Sequence, residues 1–321
     1  MPLRPLVVAV CLFLSVLTAA APARAQERTA PPENAADLRA IEAKVTAAVR
    51  RALPATVAIN ARGTFGSGVV VSADGYVLTA GHVSTEPGRR VRVIFQDGHT
   101  VQGETLGWGQ REDLGLIKII DKNDDKDWPY LEMGNAAEFQ RGDWCIALGH
   151  PGGHEHGRAP VVRTGRLLST ARRMLRTDCA IASGDSGGPL LDLSGRVVGI
   201  HSRINPDITR NYHVPIDLFQ DSWTRLTSAE TWGRSMIGVR GVDHEKGYRI
   251  TEVIAGYPAE KSGLEVGDVV TKVQDQEVTD FDVLARVITR LSAGTTVKLS
   301  VLRGEKTLSI EVTVANRREA Q

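Results

Sequence analysis

The run Ser183-Gly184-Asp185-Ser186-Gly187-Gly188-Pro189 decides how this chain is read. A serine hydroxyl on a tight turn is presented outward rather than packed into a strand face. Glycines on both sides let the backbone turn its N–H groups toward a developing negative charge instead of a strand partner. A serine nucleophile needs that arrangement. The same letters also suit a plain glycine-rich turn between two strands, so the rest of the chain decides between the two readings.

A serine nucleophile requires a base to take its proton, and the base requires an orienting group. In Tyr76-Val77-Leu78-Thr79-Ala80-Gly81-His82-Val83 a strand pattern stops at Ala80 and a small glycine precedes the histidine. His82 therefore sits at a strand end rather than within a packed face, which separates it from the other histidines. Asp113, in Glu112-Asp113-Leu114-Gly115-Leu116-Ile117-Lys118, directly precedes an apolar strand. A carboxylate there can be part-buried against an imidazole and fix its tautomer. Glu112 competes for that role, and a strand-capping aspartate is the structural alternative.

These pieces come in the order His, Asp, Ser. With Gly66-Ser67-Gly68, Ala147-Leu148-Gly149-His150-Pro151, Thr177-Asp178-Cys179-Ala180-Ile181 and Val214-Pro215-Ile216-Asp217, they resemble the HtrA (Deg) family of trypsin-like serine proteases over nearly all of 40–316. The resemblance implies a mainly β protein, a chymotrypsin-like double β-barrel followed by a PDZ domain, with the triad in the cleft between barrels. It implies that Ser186 is the nucleophile, His82 the base and Asp113 its orienter. It further implies that the backbone N–H groups of Gly184 and Ser186 form the oxyanion hole. Ser202 falls where such proteases place a serine near the acid, and Ser202-Arg203-Ile204 would pair with extended substrate. Ala180 and Ile181 would belong to the wall of the specificity pocket.

The chain departs from the family pattern at four points. HtrA proteins usually carry Asn before the nucleophile, whereas this chain has Asp185. In trypsin-like enzymes that aspartate is paired by a new N-terminal ammonium after zymogen cleavage, and no Arg/Lys-Ile-Val-Gly-Gly-type start is present. Asp185 must therefore find another cation, backbone donors or solvent, because an unpaired buried charge is costly, and no zymogen cleavage is expected. Second, the position matching the basic-residue selector is Ala180, so small or medium apolar residues are expected at the cleavage site. Third, the stretch Met174-Leu175-Arg176 leaves the regulatory loop short. Fourth, the aromatics of the family's trimer contact are absent apart from Phe65, so the trimer rests on resemblance alone.

Beyond Ile237 strands alternate with one amphipathic helix, 281–291. Met236-Ile237-Gly238-Val239 resembles a PDZ carboxylate-binding loop, and Ser262-Gly263-Leu264-Glu265-Val266-Gly267-Asp268 its following turn. Such a domain takes a peptide C-terminus by strand addition, with loop N–H groups on the carboxylate. The expected organisation is a signal peptide at 1–25, a linker at 26–35, a protease domain at 36–230, a PDZ domain at 231–316 and a tail at 317–321.

The chain has 321 residues, with 39 basic against 38 acidic, and this balance argues against a nucleic-acid binder. Arg4, the apolar run Leu6 to Ala19 and Ala23-Arg24-Ala25 read as a secretory signal, which implies export to a periplasm or the outside. Cys11 leaves with that signal, and Cys145 and Cys179 are expected as buried free thiols. The acidic run Asp121 to Asp127 lacks the glycine of a calcium loop. The loop with His150, His154 and His156 lacks metal-ligand spacing. Neither a metal nor a cofactor is expected. The resemblance thus implies an exported endopeptidase acting on unfolded or damaged proteins, in the service of protein quality control. The competing reading is a non-catalytic, chaperone-like peptide binder that kept the fold.

Overall fold

The computed structural model describes residues 32–316 apart from 62, 124–125, 171–173, 205–209 and 234. The expected secretory signal and tail lie outside the described residues. The described chain opens with α1 (Ala35–Ala52), where the Asn34 side chain accepts the N–H groups of Ala36 and Asp37 and so caps the first turn. Its buried stripe, Ile41, Ala48 and Ala52, faces the protein, and Arg51 donates to the Ser194 carbonyl.

Barrel 1 follows as β1 (Thr56–Ala61), β2 (Thr64–Val70), β3 (Tyr76–Ala80), the one-turn helix α2 (Gly81–Ser84), β4 (Arg90–Ile94), β5 (Thr100–Gly109) and β6 (Leu114–Ile119). The strands pair in the order β5-β4-β1-β2-β3-β6, and pairing of β5 with β6 closes the ring. Period-2 burial in β5 shows why the segment is a strand: Val101, Gly103, Thr105, Gly107 and Gly109 point inward and their neighbours outward. The β2–β3 connection turns on Gly75, whose φ of +91° only glycine adopts without strain.

Barrel 2 is built from β7 (Trp144–Gly149), β8 (Val161–Ser169), β9 (Leu175–Thr177), β10 (Pro189–Leu191), β11 (Val197–Arg203) and β12 (Asn211–Pro215), closed in the order β10-β11-β12-β9-β8-β7. One apolar cluster runs from Val69, Leu78 and Leu116 of barrel 1 through Ile146, Leu148, Leu190 and Ile200 of barrel 2, so the barrels share a core at their seam. After β12 the chain forms two short helices, α3 (Ile216–Asp221) and α4 (Trp223–Thr227), broken at Ser222.

The chain then adds β13 (Thr231–Trp232) in parallel to β5 of barrel 1 before the last domain begins. That domain holds β14 (Ser235–Met236), β15 (Val239–His244), β16 (Gly247–Val253), α5 (Pro258–Lys261), β17 (Val269–Val273), β18 (Gln276–Glu277), α6 (Phe281–Ile288), β19 (Thr296–Arg303), β20 (Lys306–Thr313) and β21 (Ala315–Asn316). Its own core contains Ile250, Leu264, Leu284, Leu299 and Val312. Asp280 caps α6 by accepting the Val283 N–H, which fixes where the helix starts.

Inside barrel 2, His201 and His213 are fully buried with Nδ1 atoms 2.9 Å apart. One neutral arrangement satisfies every ring nitrogen. Thr177 Oγ–H donates to His213 Nε2 over 2.8 Å, His213 Nδ1–H donates to His201 Nδ1, and His201 Nε2–H donates to the Leu148 carbonyl over 3.1 Å. Burial drives both imidazoles below their ordinary value, His213 to about 3, and it lowers the buried His150 to about 4. The unfolded chain binds these protons near the ordinary value of 6.5 and the folded one does not. Stability is therefore complete above that value and is lost as pH falls below it. Asp185, pushed upward by burial, acts in the opposite sense over the lower part of the window. Urea unfolding at a series of pH values is expected to show stability falling between about pH 6.5 and 4, by up to about 1.4 kcal/mol per pH unit for each histidine. The His213→Asn variant should show a shallower slope, and a flat profile in the wild type would contradict the buried neutral pair.

Candidate functional site

Strand β3 ends at Ala80, and α2 begins at Gly81 because the chain must turn there against the acid. A Cβ on Gly81 would lie 2.9 Å from the Leu114 carbonyl, and the Gly81 N–H already donates to the Asp113 carbonyl over 2.9 Å. This turn lifts His82 out of the sheet with its side chain half exposed. Asp113 stands at the end of the β5–β6 turn with φ +63°, a left-handed conformation that aspartate tolerates better than most residues. There its Oδ1 accepts the His82 backbone N–H at 2.9 Å, and both carboxylate oxygens lie 3.0 Å from His82 Nδ1. Ser202, from β11 across the seam, donates its hydroxyl to Asp113 Oδ2 at 2.5 Å. Burial pushes the Asp113 carboxyl up, but the hydrogen bonds from His82 and Ser202 together with the electrostatic attraction of His82 outweigh it and hold the group below its ordinary value. With Nδ1–H held by the carboxylate, the lone pair of His82 lies on Nε2.

The turn that carries Ser186 is docked against barrel 1 by its backbone. The Ser186 carbonyl accepts the Ser67 N–H at 2.8 Å. Gly187, at φ +91°, packs so tightly that a Cβ there would come within 2.1 Å of the Ser67 carbonyl and 2.2 Å of Thr79 Oγ1. Ser186 is thereby held beside the strand that delivers His82. No hydrogen bond joins the two side chains, and contacts of this kind commonly tighten only in the substrate complex.

Around Gly184, at φ +97°, two peptide planes are fixed from behind. The Ser183 carbonyl accepts the Gly152 N–H at 2.7 Å, and the Asp185 carbonyl accepts the Gly188 N–H at 2.8 Å. In a trans peptide the N–H points opposite to the carbonyl, so the Gly184 and Ser186 N–H groups face away from those bonds. Neither donates to an acceptor among the described residues.

The other sequence-derived positions are spread around this centre. Ala180 is exposed and Ile181 nearly buried in the segment after β9. Ser202 turns its hydroxyl to Asp113, while Arg203 is the exposed last residue of β11 and Ile204 the exposed residue after it. Glu112 has no contact with His82, and one of its buried carboxylate oxygens has no partner. Cys145 and Cys179 are buried free thiols that form no disulfide and share a thiol–thiol hydrogen bond of 3.6 Å. Among the described residues no cluster of three or more His, Cys, Asp or Glu could hold a metal ion. Two residues beside the site were not singled out in the sequence: Ser67, and Arg163, whose Nη2 lies 3.1 Å from Asp185 Oδ2. The signal for Arg163 was a cation in β8 sharing the inward register of Gly165 and Leu167.

In the last domain Met236, Ile237, Gly238 and Val239 form the loop into β15. The Ile237 and Gly238 carbonyls are taken by the Ala259 and Ile254 N–H groups, while the Ile237 and Gly238 N–H groups donate to no described residue. Gly238, at φ +83°, faces Tyr257, where a Cβ would come within 2.1 Å. Between β15 and α6 lies a groove of about 1410 Å³, lined by Ile237, Val239, Phe281, Leu284 and Ile288 and reached by Trp108 and Gln110 of barrel 1.

A double barrel with this seam, followed by such a domain, is the architecture of a trypsin-like peptidase joined to a PDZ domain. Residues 66–200 match the trypsin-like peptidase domain family and residues 235–314 the PDZ domain family. A periplasmic serine endoprotease described as DegP-like from Pseudomonas putida (strain W619) is 32% identical over 274 residues, 78% of this chain and 56% of that protein. A DegP-like counterpart from Chlamydia muridarum is 34% identical over 274 residues, 78% of this chain and 53% of that protein. The chain thus spans little more than half the length of these relatives. Among solved structures, the serine endoprotease from Yersinia pestis superposes with a TM-score of 0.66 at 27% identity, covering 84% of this chain and 97% of that one. The HtrA-type protease AlgW with tripeptide gives a TM-score of 0.61 at 26% identity, covering 84% of this chain and 96% of that one. The chain belongs to the HtrA/Deg family of trypsin-like serine proteases that carry a PDZ domain.

The docking of the Ser186 turn can be separated from ordinary backbone strain. Gly152 and Gly187 both have positive φ, but a Cβ on Gly152 meets nothing within 4 Å. Gly152→Ala is expected to lower stability by about 1 kcal/mol, and Gly187→Ala by at least about 2 kcal/mol more, read from urea midpoints. Equal losses would mean that the turn is not held as tightly as its contacts indicate.

Proposed function

We propose that this protein is an exported serine endopeptidase that hydrolyses peptide bonds of unfolded or damaged proteins, with its PDZ groove taking peptide C-termini. The observation that carries the reading is the Asp113–His82 pair, buttressed by Ser202 and set beside a Ser186 whose flanking N–H groups are unspent. Ser186 Oγ attacks the scissile carbonyl as His82 Nε2 accepts its proton. Asp113, kept ionised by its donors, stabilises the imidazolium and holds its tautomer. The carbonyl oxygen, now an oxyanion, receives the N–H groups of Gly184 and Ser186, each donor of this type being worth roughly 3 kcal/mol of barrier. His82 then returns the proton to the leaving amine, and water activated in the same way releases the acyl group from Ser186.

Export rests on the leader-like first 25 residues and on the periplasmic naming of the relatives. No helix among the described residues is long and apolar enough to cross a membrane. The unspent Ile237 and Gly238 N–H groups at the head of the groove suit a terminal carboxylate, and the apolar wall of Leu284 and Ile288 suits an apolar last side chain.

A fluorophosphonate probe tests the enzyme reading directly. The wild type should label, Ser186→Ala should not, and Asp113→Asn should keep the fold while losing about 10⁴-fold in rate. Ser202→Ala, which removes one hydrogen bond to Asp113, should lose about tenfold or less. Wild-type protein that takes no label would point instead to a peptide binder.

The specificity reading has its own check. Ala180 puts no carboxylate at the pocket position, so a peptide library should be cut after small or medium apolar residues. Cleavage dominated by Lys or Arg would overturn that reading.

A further inference from the structure

Asp185 is fully buried directly behind the proposed oxyanion hole, so its charge needs a partner. Its Oδ2 accepts the Ala182 N–H at 2.7 Å and faces Arg163 Nη2 at 3.1 Å. Its Oδ1 has no hydrogen-bond partner and lies where a Cβ on residue 149 would stand, 2.5 Å away, so Gly149 makes room for it. The carboxylate bond to the Ala182 N–H and the Asp185 N–H bond to the Ala182 carbonyl, 3.0 Å, together close the turn that holds Ser183 and Gly184. The conformation of Gly184 is thus tied to where the Asp185 carboxylate sits.

We propose that Arg163 is the positioning residue of the oxyanion hole: its guanidinium, held on β8 inside barrel 2, supplies the buried cation that keeps Asp185 inward and Gly184 turned for catalysis. In enzymes activated by cleavage, that cation is an ammonium that does not exist until the chain is cut. Here it is a side chain opposite Ala147 in the β7–β8 ladder, present as soon as the barrel closes. The active geometry is therefore set by folding, with no cut required. Arg158 is the second cation near Asp185, but its Nη2 is spent on the Pro151 and Gly153 carbonyls at 2.6 and 2.7 Å and its Nη1 on Glu155 at 2.7 Å. It secures the loop against which Gly184 packs. Without Arg163, a buried carboxylate would be left uncompensated, a penalty large enough to expel it toward water. The turn from Ala182 to Asp185 would then unwind, and the Gly184 peptide would lose its orientation.

This role rests on the endopeptidase reading, and the test separates the two. Full-length wild type, Arg163→Leu, Arg163→Lys, Asp185→Asn and the Arg163→Leu/Asp185→Asn double variant are compared by urea midpoint and by fluorophosphonate labelling rate. The stability cycle does not depend on activity. Arg163→Leu is expected to lower the midpoint and slow labelling at least 100-fold. Removing the charge it served, in the double variant, should restore the midpoint and bring labelling to within about tenfold of wild type. Arg163→Lys should fall between the wild type and Arg163→Leu. Rescue by a neutral Asn identifies charge compensation, because an arginine that only fills space would not be rescued by it. The proposal is overturned if Arg163→Leu labels like wild type, or if the double variant stays as slow as the single one. Coupled midpoints in a wild type that takes no label would sink the endopeptidase reading and with it the positioning role, leaving an ion pair of structural value only.

Discussion

The proposed catalytic arrangement depends on how Ser67 joins the two barrels. This buried residue on β2 donates its N–H to the Ser186 carbonyl at 2.8 Å and its hydroxyl to the Gly184 carbonyl at 2.8 Å. It accepts the His150 N–H on that hydroxyl at 2.9 Å and the Thr79 hydroxyl on its carbonyl at 2.8 Å. Barrel 1 carries His82 and Asp113, and barrel 2 carries Ser186 and Ser202. Few polar contacts cross an otherwise apolar seam, and a buried, satisfied hydrogen bond is directional where apolar packing is not. Ser67 therefore sets the register of one barrel on the other. The glycines on either side have their own reasons: a Cβ on Gly66 would strike Val83 at 2.7 Å, and one on Gly68 would strike Ile59 and Val77 at 2.8 Å.

Much of this was legible in the chain. The strand end at Ala80, the aspartate before Leu114 and the glycines around Ser186 each have a local cause, and local causes leave local signals. The order of the pieces then implied the fold. The partner of Asp185 left no such signal. Sequence showed that a buried carboxylate would need compensation, but the guanidinium arrives from a strand some twenty positions earlier, through an inward register that only barrel closure defines. Ser67 was visible as a letter between two glycines, yet its four bonds connect segments far apart in the chain.

Charge is handled differently in the two halves of the site. On the acid side, Asp113 meets an imidazole and a hydroxyl and is held ionised. Behind the proposed oxyanion hole, Asp185 meets a guanidinium and one amide, and burial still pushes it upward. The buried histidines of barrel 2 take the third solution and give up their charge altogether. A neutral relay ending on the Leu148 carbonyl keeps barrel 2 polar inside without adding a field that would compete with either carboxylate.

The segment between the two domains is short, and much of it is bonded. The Trp108 N–H donates to the Glu230 carbonyl and the Gln110 N–H to the Trp232 carbonyl, both at 2.8 Å, and Arg225 reaches Ser292 beyond α6 at 2.8 Å. A free linker would let the PDZ groove sweep a volume, and the local concentration of anything it held would follow from chain length. A strand laid along β5 has no such slack. The groove is a fixture at a set offset from the cleft, so under the proposed function a polypeptide spanning both must have enough residues to cover that offset, and segments shorter than this span reach one site or the other but not both.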